Sequence, residues 1–247
     1  MASVQISDLH KTFYRKSGAP LQVLENLSIQ AMDREFVCLL GPSGCGKSTS
    51  LHILAGLVEP DSGEVTIDGS ANYRDASYGY VFQRPRLLNW KTVADNMLFA
   101  LQSYGIPRDQ HRARIDRYLS MVGLSAFADE YPLTLSGGMQ QRVAIARALA
   151  IEPDILLMDE PFSGLDELTA RSMRIELLNL WNRDPKTVLF VTHNVLEAVF
   201  LADRIYLLTP RPAKVFEMVE VSVPRPRDIE DDRLLRLHKD IIKSLIS

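Results

Sequence analysis

Eight residues, Gly41 to Ser48 (GPSGCGKS), place glycines at the first, fourth and sixth positions and a Lys-Ser pair at the seventh and eighth. Glycines let successive backbone N–H groups turn inward around an anion, a lysine reaches terminal phosphate oxygens, and a neighbouring hydroxyl ligates Mg2+. The pattern is G-x-x-x-x-G-K-[ST]. The apolar run FVCLL at 36–40 precedes it and a helical pattern follows, the strand-loop-helix context that such phosphate binding requires. The expected phosphate-binding set is therefore Gly41, Pro42, Ser43, Gly44, Cys45, Gly46, Lys47, Ser48 and the adjoining Thr49, with Lys47 on the β and γ phosphates of a nucleotide and Ser48 on Mg2+.

A second group of residues, ILLMDEP at 155–161, is an apolar run ending in two carboxylates. Beside a phosphate loop, Asp159 at the strand end suits Mg2+, usually through water, and Glu160 suits the base or orienter of an attacking water. Taken alone the pair also reads as acidic helix-capping residues.

These groups need a scaffold. FVCLL, ILLM at 155–158 and TVLFVT at 187–192 are continuous apolar runs, each followed by a helical stretch, the signature of strands buried on both faces of a parallel sheet in an α/β core. Residues 3–9 and 21–31 alternate apolar with polar around Gly18-Ala19-Pro20 and predict an antiparallel hairpin; 64–68 and 78–82 predict short strands. Between about 90 and 150 strand signals vanish and helical spacing takes over. The segments TPRPAKV and PRPRD after residue 208 read as Pro-rich loops, followed by a helix from Asp231 to Ile246.

Composition sets the outer limits. The 247 residues carry 28 Lys plus Arg against 31 Asp plus Glu, a net charge of -3, with 46% hydrophobic and 24% charged residues, which fits a folded globular chain. That balance gives no basic field for nucleic acid. Cys38 and Cys45 match neither a disulfide framework nor a zinc spacing, so a reducing compartment is expected. Cys38 reads as core, and Cys45 as a tolerated loop residue and not a nucleophile. The start MASVQISDLHKTF lacks a signal-peptide pattern, and no apolar run approaches the roughly 18 residues of a membrane span.

LSGGMQQR, Leu135 to Arg142, resembles the signature motif of the ATP-binding cassette (ABC) ATPases. Its order after the phosphate loop and before the DE strand matches that family over nearly the whole chain. The resemblance implies a P-loop NTPase α/β core with an antiparallel β subdomain and an inserted α-helical subdomain. The cassette would span 1–228, with the helical part at about 90–150 and a short helical tail at 229–247. It implies ATP and Mg2+ as cofactors and a dimer, of like or paralogous ATPase subunits, in which Ser136, Gly137 and Gly138 close on the γ-phosphate held by the other chain. Gln83, in VFQ, resembles the Q-loop residue that contacts Mg2+ and water and senses the membrane partner. His193, in FVTHN, resembles the histidine that hydrogen-bonds the γ-phosphate. Asp166, in SGLD, resembles the D-loop residue, although a helix N-cap explains it as well. Phe13 falls where the family stacks an aromatic on adenine, with Tyr14 as a competing candidate.

RLLNWKTVADNM at 86–97 resembles the segment of importer ATPases that receives a cytoplasmic helix of the permease; an amphipathic helix start with core Leu and Trp is the alternative. Met139 in the signature, LLTPRPAKV at 207–215 and VPRPRD at 223–228 resemble the ATPase subunits of nitrate, sulfonate, taurine and bicarbonate importers. Ala213 and Asn89 depart from that group, which often has Gly and Pro there. The expected partners are transmembrane permease subunits and, indirectly, a periplasmic or extracellular substrate-binding protein, with no nucleic acid. The expected place is the cytoplasmic face of the inner membrane, peripherally through the permease. An exporter, lipid or thiamine-precursor transporter is the alternative within the family; ABC ATPases of DNA or the ribosome and metabolite kinases are the alternatives outside it.

Overall fold

The computed structural model describes residues 2–14 and 18–246. In chain order the elements are Val4–Tyr14 (β1), Pro20–Ala31 (β2), Phe36–Leu40 (β3), Lys47–Leu54 (α1), Ser62–Ile67 (β4), Tyr78–Val81 (β5), Val93–Ser103 (α2), Arg108–Met121 (α3) and Gly137–Ala150 (α4). Then follow Ile155–Asp159 (β6), Glu167–Arg183 (α5), Thr187–Thr192 (β7), Val195–Leu201 (α6), Arg204–Leu208 (β8), Val215–Glu220 (β9) and Asp232–Ile246 (α7). They divide into two compact units, residues 77–185 and the rest.

In the unit built from both ends of the chain, β1 pairs antiparallel with β2 and with β4. Alternation keeps Val4 and Ile6 buried and Gln5 exposed, then slips at Asp8, whose φ of 49° marks a bulge that returns Leu9 to the core. The same unit holds a parallel set in which β3 lies between β7 and β8, with β9 antiparallel on β8. Every residue of β3 and β7 is buried, so these strands have no polar face to show and appear in the sequence as unbroken apolar runs.

In the other unit β5 pairs parallel with β6, which is buried throughout. Helices α2, α3 and α4 pack around Val93, Met97, Leu119 and Val143. Met139 and Leu87 lean on this cluster, so the signature methionine has a packing role.

Strands β8 and β9 were not predicted. VLEAVFLADRIYLL contains no Gly or Pro, so RIYLL looks like more helix. The break comes from tertiary pairing: α6 ends at Ala202, whose ψ is 151°, and Asp203 donates its N–H to the Phe36 carbonyl at 2.7 Å while its carboxylate accepts the Phe36 N–H at 2.9 Å.

The PRPRD segment proves structural. Arg227 is buried and donates to the carbonyls of Val199 (3.2 Å), Phe200 (3.1 Å) and Ala202 (2.6 Å) at the C-terminus of α6, and to those of Val221 (3.2 Å) and Val223 (2.8 Å). Burial, and then the neighbouring Arg225, pull its guanidinium down to about 10. One charge thus satisfies carbonyls that have no other helical partner. Arg227→Ala is expected to cost about 3 to 5 kcal/mol of stability by leaving buried acceptors unpaired; a urea-unfolding midpoint equal to wild type contradicts it.

Candidate nucleotide site

The phosphate loop joins β3 to α1. Gly46 is the N-cap of α1, with φ 136° and no side-chain cap, a helix-start geometry that suits an anion. No other residue fits there, because a Cβ on Gly46 would stand 2.8 Å from Leu24 Cδ2 and 2.9 Å from Val23 Cγ1. Lys47 is 4% exposed and donates from Nζ to the carbonyls of Gly41 (2.8 Å) and Pro42 (3.0 Å). The N–H of Cys45 also donates to the Pro42 carbonyl, at 3.3 Å. Donors suited to phosphate oxygens are thus held by the loop's own carbonyls. Ser48 and Thr49 occupy the first turn of α1.

Cys45 and Cys38 are free and buried. Burial, reinforced by the Glu197 carboxylate, pushes the Cys38 thiol well up, which makes it a core residue without thiolate character.

His193 is exposed directly after β7. Its flanks are fixed. Thr192 Oγ1 donates to Glu197 at 2.6 Å and accepts the Asn194 N–H at 3.0 Å, while Asn194 Oδ1 caps α6 through the N–H groups of Leu196 and Glu197. Phe13 is 38% exposed and Tyr14 78%. Lys11 Nζ lies 5.3 Å from the Phe13 ring centroid and pairs with Asp61 at 2.8 Å.

In residues 77–185 the structure brings Gln83 and Glu160 together: the exposed amide Nε2 donates to Glu160 Oε2 at 3.3 Å. Glu160 has a φ of 42°, a strained position for a non-glycine residue that costs on the order of 1 to 3 kcal/mol and clusters at working sites. Its carbonyl is fixed by the Ser163 N–H at 3.0 Å and hydroxyl at 2.8 Å. Asp159, 6% exposed, closes β6. Burial, and then Asp159, push the Tyr80 phenol far above its usual range.

The chain following Gln83 is also braced. Tyr80 stacks on Phe82 at 4.1 Å, Arg86 lies 4.4 Å over the Phe82 ring, and Arg147 of α4 donates to the carbonyls of Pro85 (2.9 Å) and Arg86 (3.0 Å). Further on, the buried Asn96 accepts the Leu88 N–H at 2.7 Å and donates to the carbonyls of Leu88, Lys91 and Thr92 at 2.9 to 3.1 Å. This presents Trp90 to solvent, 75% exposed, while Leu87 packs inward. Sequence reasoning singled out neither Arg147 nor Asn96.

Ser136 is the N-cap of α4 and accepts the Met139 N–H at 3.3 Å; Gly137 is exposed, with nothing within 4 Å of where a Cβ would stand, and a Cβ on Gly138 would face Thr169 and Leu165. Asp166 caps α5, accepting the Thr169 N–H at 3.0 Å, and this backbone bond holds its carboxyl below the usual range.

The ABC transporter family model matches residues 24–163, more than half of the chain. An uncharacterized ABC transporter ATP-binding protein of Methanocaldococcus jannaschii is 44% identical over 243 residues, covering 98% of this chain and 91% of that protein. The chain belongs to the ABC transporter family. It is also similar to the taurine import ATP-binding protein TauB of Rhizobium johnstonii, 44% identical over 86% of this chain and 82% of that protein. The aliphatic sulfonates import ATP-binding protein SsuB of Bacillus cereus is 38% identical over 98% of this chain and 95% of its own length. Among solved structures, the ATP-binding cassette MJ0796, in a dimeric post-hydrolysis state bound to ADP and Pi, superposes with a TM-score of 0.78 at 34% identity, covering 90% of this chain and all of that one. Thus the chain has the P-loop ABC ATPase fold, α/β with an antiparallel β sheet and a helical group at α2 to α4. Among the described residues no helix is long and apolar enough to cross a membrane.

Proposed function

We propose that this chain is the ATP-hydrolysing subunit of an ABC importer of small anions, of the nitrate, sulfonate, taurine or bicarbonate kind. The observation that carries the reading is its similarity, over most of its length, to proteins named for taurine and aliphatic sulfonate import. Two such subunits, alike or paralogous, dimerise around ATP at the cytoplasmic face of a membrane and move a permease. The permease docks beside Gln83 and the exposed Trp90. An external binding protein delivers the anion.

In this reading Gly41 to Thr49 bind the phosphates, Lys47 neutralises the β and γ oxygens, and His193 hydrogen-bonds the γ-phosphate. Phe13, the more buried of the two candidate aromatics, stacks on adenine. Glu160 orients the attacking water, with Gln83 beside it. Ser136, Gly137 and Gly138 meet the γ-phosphate held by the other chain, and Asp166 packs across the pair. The hydroxyl of Ser48, the amide oxygen of Gln83 and the buried carboxylate of Asp159 are hard oxygen donors, few in number, as suits Mg2+ held largely by phosphates and water. That ion, when bound, neutralises charge on the transferring phosphoryl group. Catalysis by the chain itself is positioning and charge stabilisation.

The cargo is tested in a strain lacking the gene. Uptake of one labelled anion from the set nitrate, taurine, alkanesulfonate and bicarbonate is expected to be lost, with sugars and cations unaffected, and a Glu160→Gln copy is expected not to restore it. Normal uptake of all four, with loss of efflux, lipid transport or thiamine-precursor uptake instead, contradicts the reading.

A further inference from the structure

The six-residue turn after β8 is built as a rigid support. Thr209 donates its N–H to the Lys214 carbonyl and its hydroxyl to the Pro212 carbonyl, and its hydroxyl accepts the Lys214 N–H, each at 3.0 Å. The buried Ala213 ties the turn to β2, donating to the Val23 carbonyl at 2.8 Å and accepting from the Glu25 N–H at 3.1 Å, while Lys214 pairs with Glu25 at 3.1 Å. From the tip of this turn Arg211 reaches the phosphate loop. Its Nε donates to the Gly44 carbonyl at 3.1 Å, and its Nη2 donates to the same oxygen.

The turn and the two strands that carry it, β8 and β2, touch the loop at three points. Leu208 Cβ lies 3.0 Å from where a Cβ on Gly41 would be, Arg211 holds Gly44, and Val23 and Leu24, on the strand that anchors Ala213, close against Gly46. Gly41 and Gly46 are buried and contacted by apolar atoms, whereas Gly44 is exposed, with φ 75°. Among the described residues, the exposed middle of the loop is gripped by the Arg211 guanidinium.

We propose that Arg211 is a positioning residue for nucleotide binding, which sets the orientation of the peptide between Gly44 and Cys45. In a trans peptide the C=O and the following N–H point in opposite directions. Holding the Gly44 oxygen outward on the guanidinium turns the Cys45 N–H toward the interior of the loop, where it rests on Pro42. It is then ready to transfer to a phosphate oxygen. Without Arg211 this exposed, left-handed glycine samples other peptide orientations, and ordering it becomes part of the cost of binding. The loop holds the phosphates in the ground state and the transition state alike, so losing the grip removes uniform binding, which raises KM and leaves kcat.

The inference rests on the reading of Gly41 to Ser48 as the ATP phosphate site, and the test separates the two. On the full-length chain, MgATP affinity by calorimetry and steady-state phosphate release are measured for wild type, Arg211→Ala, Arg211→Lys and Lys47→Ala. Arg211→Ala is expected to raise Kd and KM about tenfold with kcat within about a factor of two and an unchanged melting temperature. Arg211→Lys, which keeps the charge and a single donor direction, is expected to fall between. A KM equal to wild type in Arg211→Ala, a loss confined to kcat, or Lys behaving no better than Ala overturns the role of Arg211 while Lys47→Ala still weakens binding at least about tenfold. Wild-type binding in Lys47→Ala overturns the phosphate-site reading and this inference with it.

Discussion

Glu160→Gln is expected to bind MgATP within about threefold of wild type yet to hydrolyse it at least about 100-fold more slowly, the scale of removing a positioned base or water-orienting group. The substitution keeps size and shape at a residue whose backbone stands at φ 42°, and it keeps an oxygen for the Gln83 amide that now donates to Oε2 at 3.3 Å. What it removes is the negative charge. Lys47→Ala should behave differently, because the ammonium contributes to binding itself: loss of a charge-assisted contact to phosphate is expected to weaken MgATP binding about 10- to 100-fold. Calorimetry and phosphate release on the two variants separate the roles. Wild-type turnover in Glu160→Gln removes Glu160 from the mechanism.

Ser136→Arg is expected to lower hydrolysis by at least about 100-fold, the scale of removing preorganised donors from a developing phosphoryl charge. MgATP binding to the single chain is expected to stay near wild type. The reason is geometric. Ser136 caps α4 by accepting the Met139 N–H, and nothing stands within 4 Å of where a Cβ on the adjacent Gly137 would be; in the proposed dimer this helix start meets the nucleotide of the other chain. An arginine there fills the approach with a long side chain. It also removes the cap, at a cost of about 1 kcal/mol, so Ser136→Asn, which retains capping, serves as the control for helix stability. Normal hydrolysis by Ser136→Arg contradicts a shared site.

The parts of the fold that were legible in the sequence are those where burial leaves a one-dimensional trace. Strands β3, β6 and β7 are covered on both faces and read as FVCLL, ILLM and TVLFVT. The phosphate loop was legible because its glycines answer to backbone geometry, as Gly46 against Val23 and Leu24 illustrates. Strands β8 and β9 left no such trace, since RIYLL becomes a strand only by pairing with Phe36–Leu40. Asp166, readable either as a D-loop residue or as a cap, is a cap in the structure, with its carboxyl held down by that bond. In the sequence the Pro-rich segments read as loops and as markers of a branch of the family. Their arginines turn out to hold carbonyls, Arg227 at the end of α6 and Arg211 on Gly44, contacts that join residues far apart in the chain and that no local pattern announces. Asn96, fixing Leu88 to Thr92 from within a helix, is hidden for the same reason.

In the proposed function ATP joins two chains and hydrolysis parts them. The most direct measurement is the mass in solution of Glu160→Gln, by size-exclusion with light scattering, with and without MgATP. A single 27.8 kDa chain is expected without nucleotide and twice that mass with MgATP, returning to the single chain when Ser136→Arg is added. A mass unchanged by MgATP while calorimetry shows the nucleotide bound would contradict it.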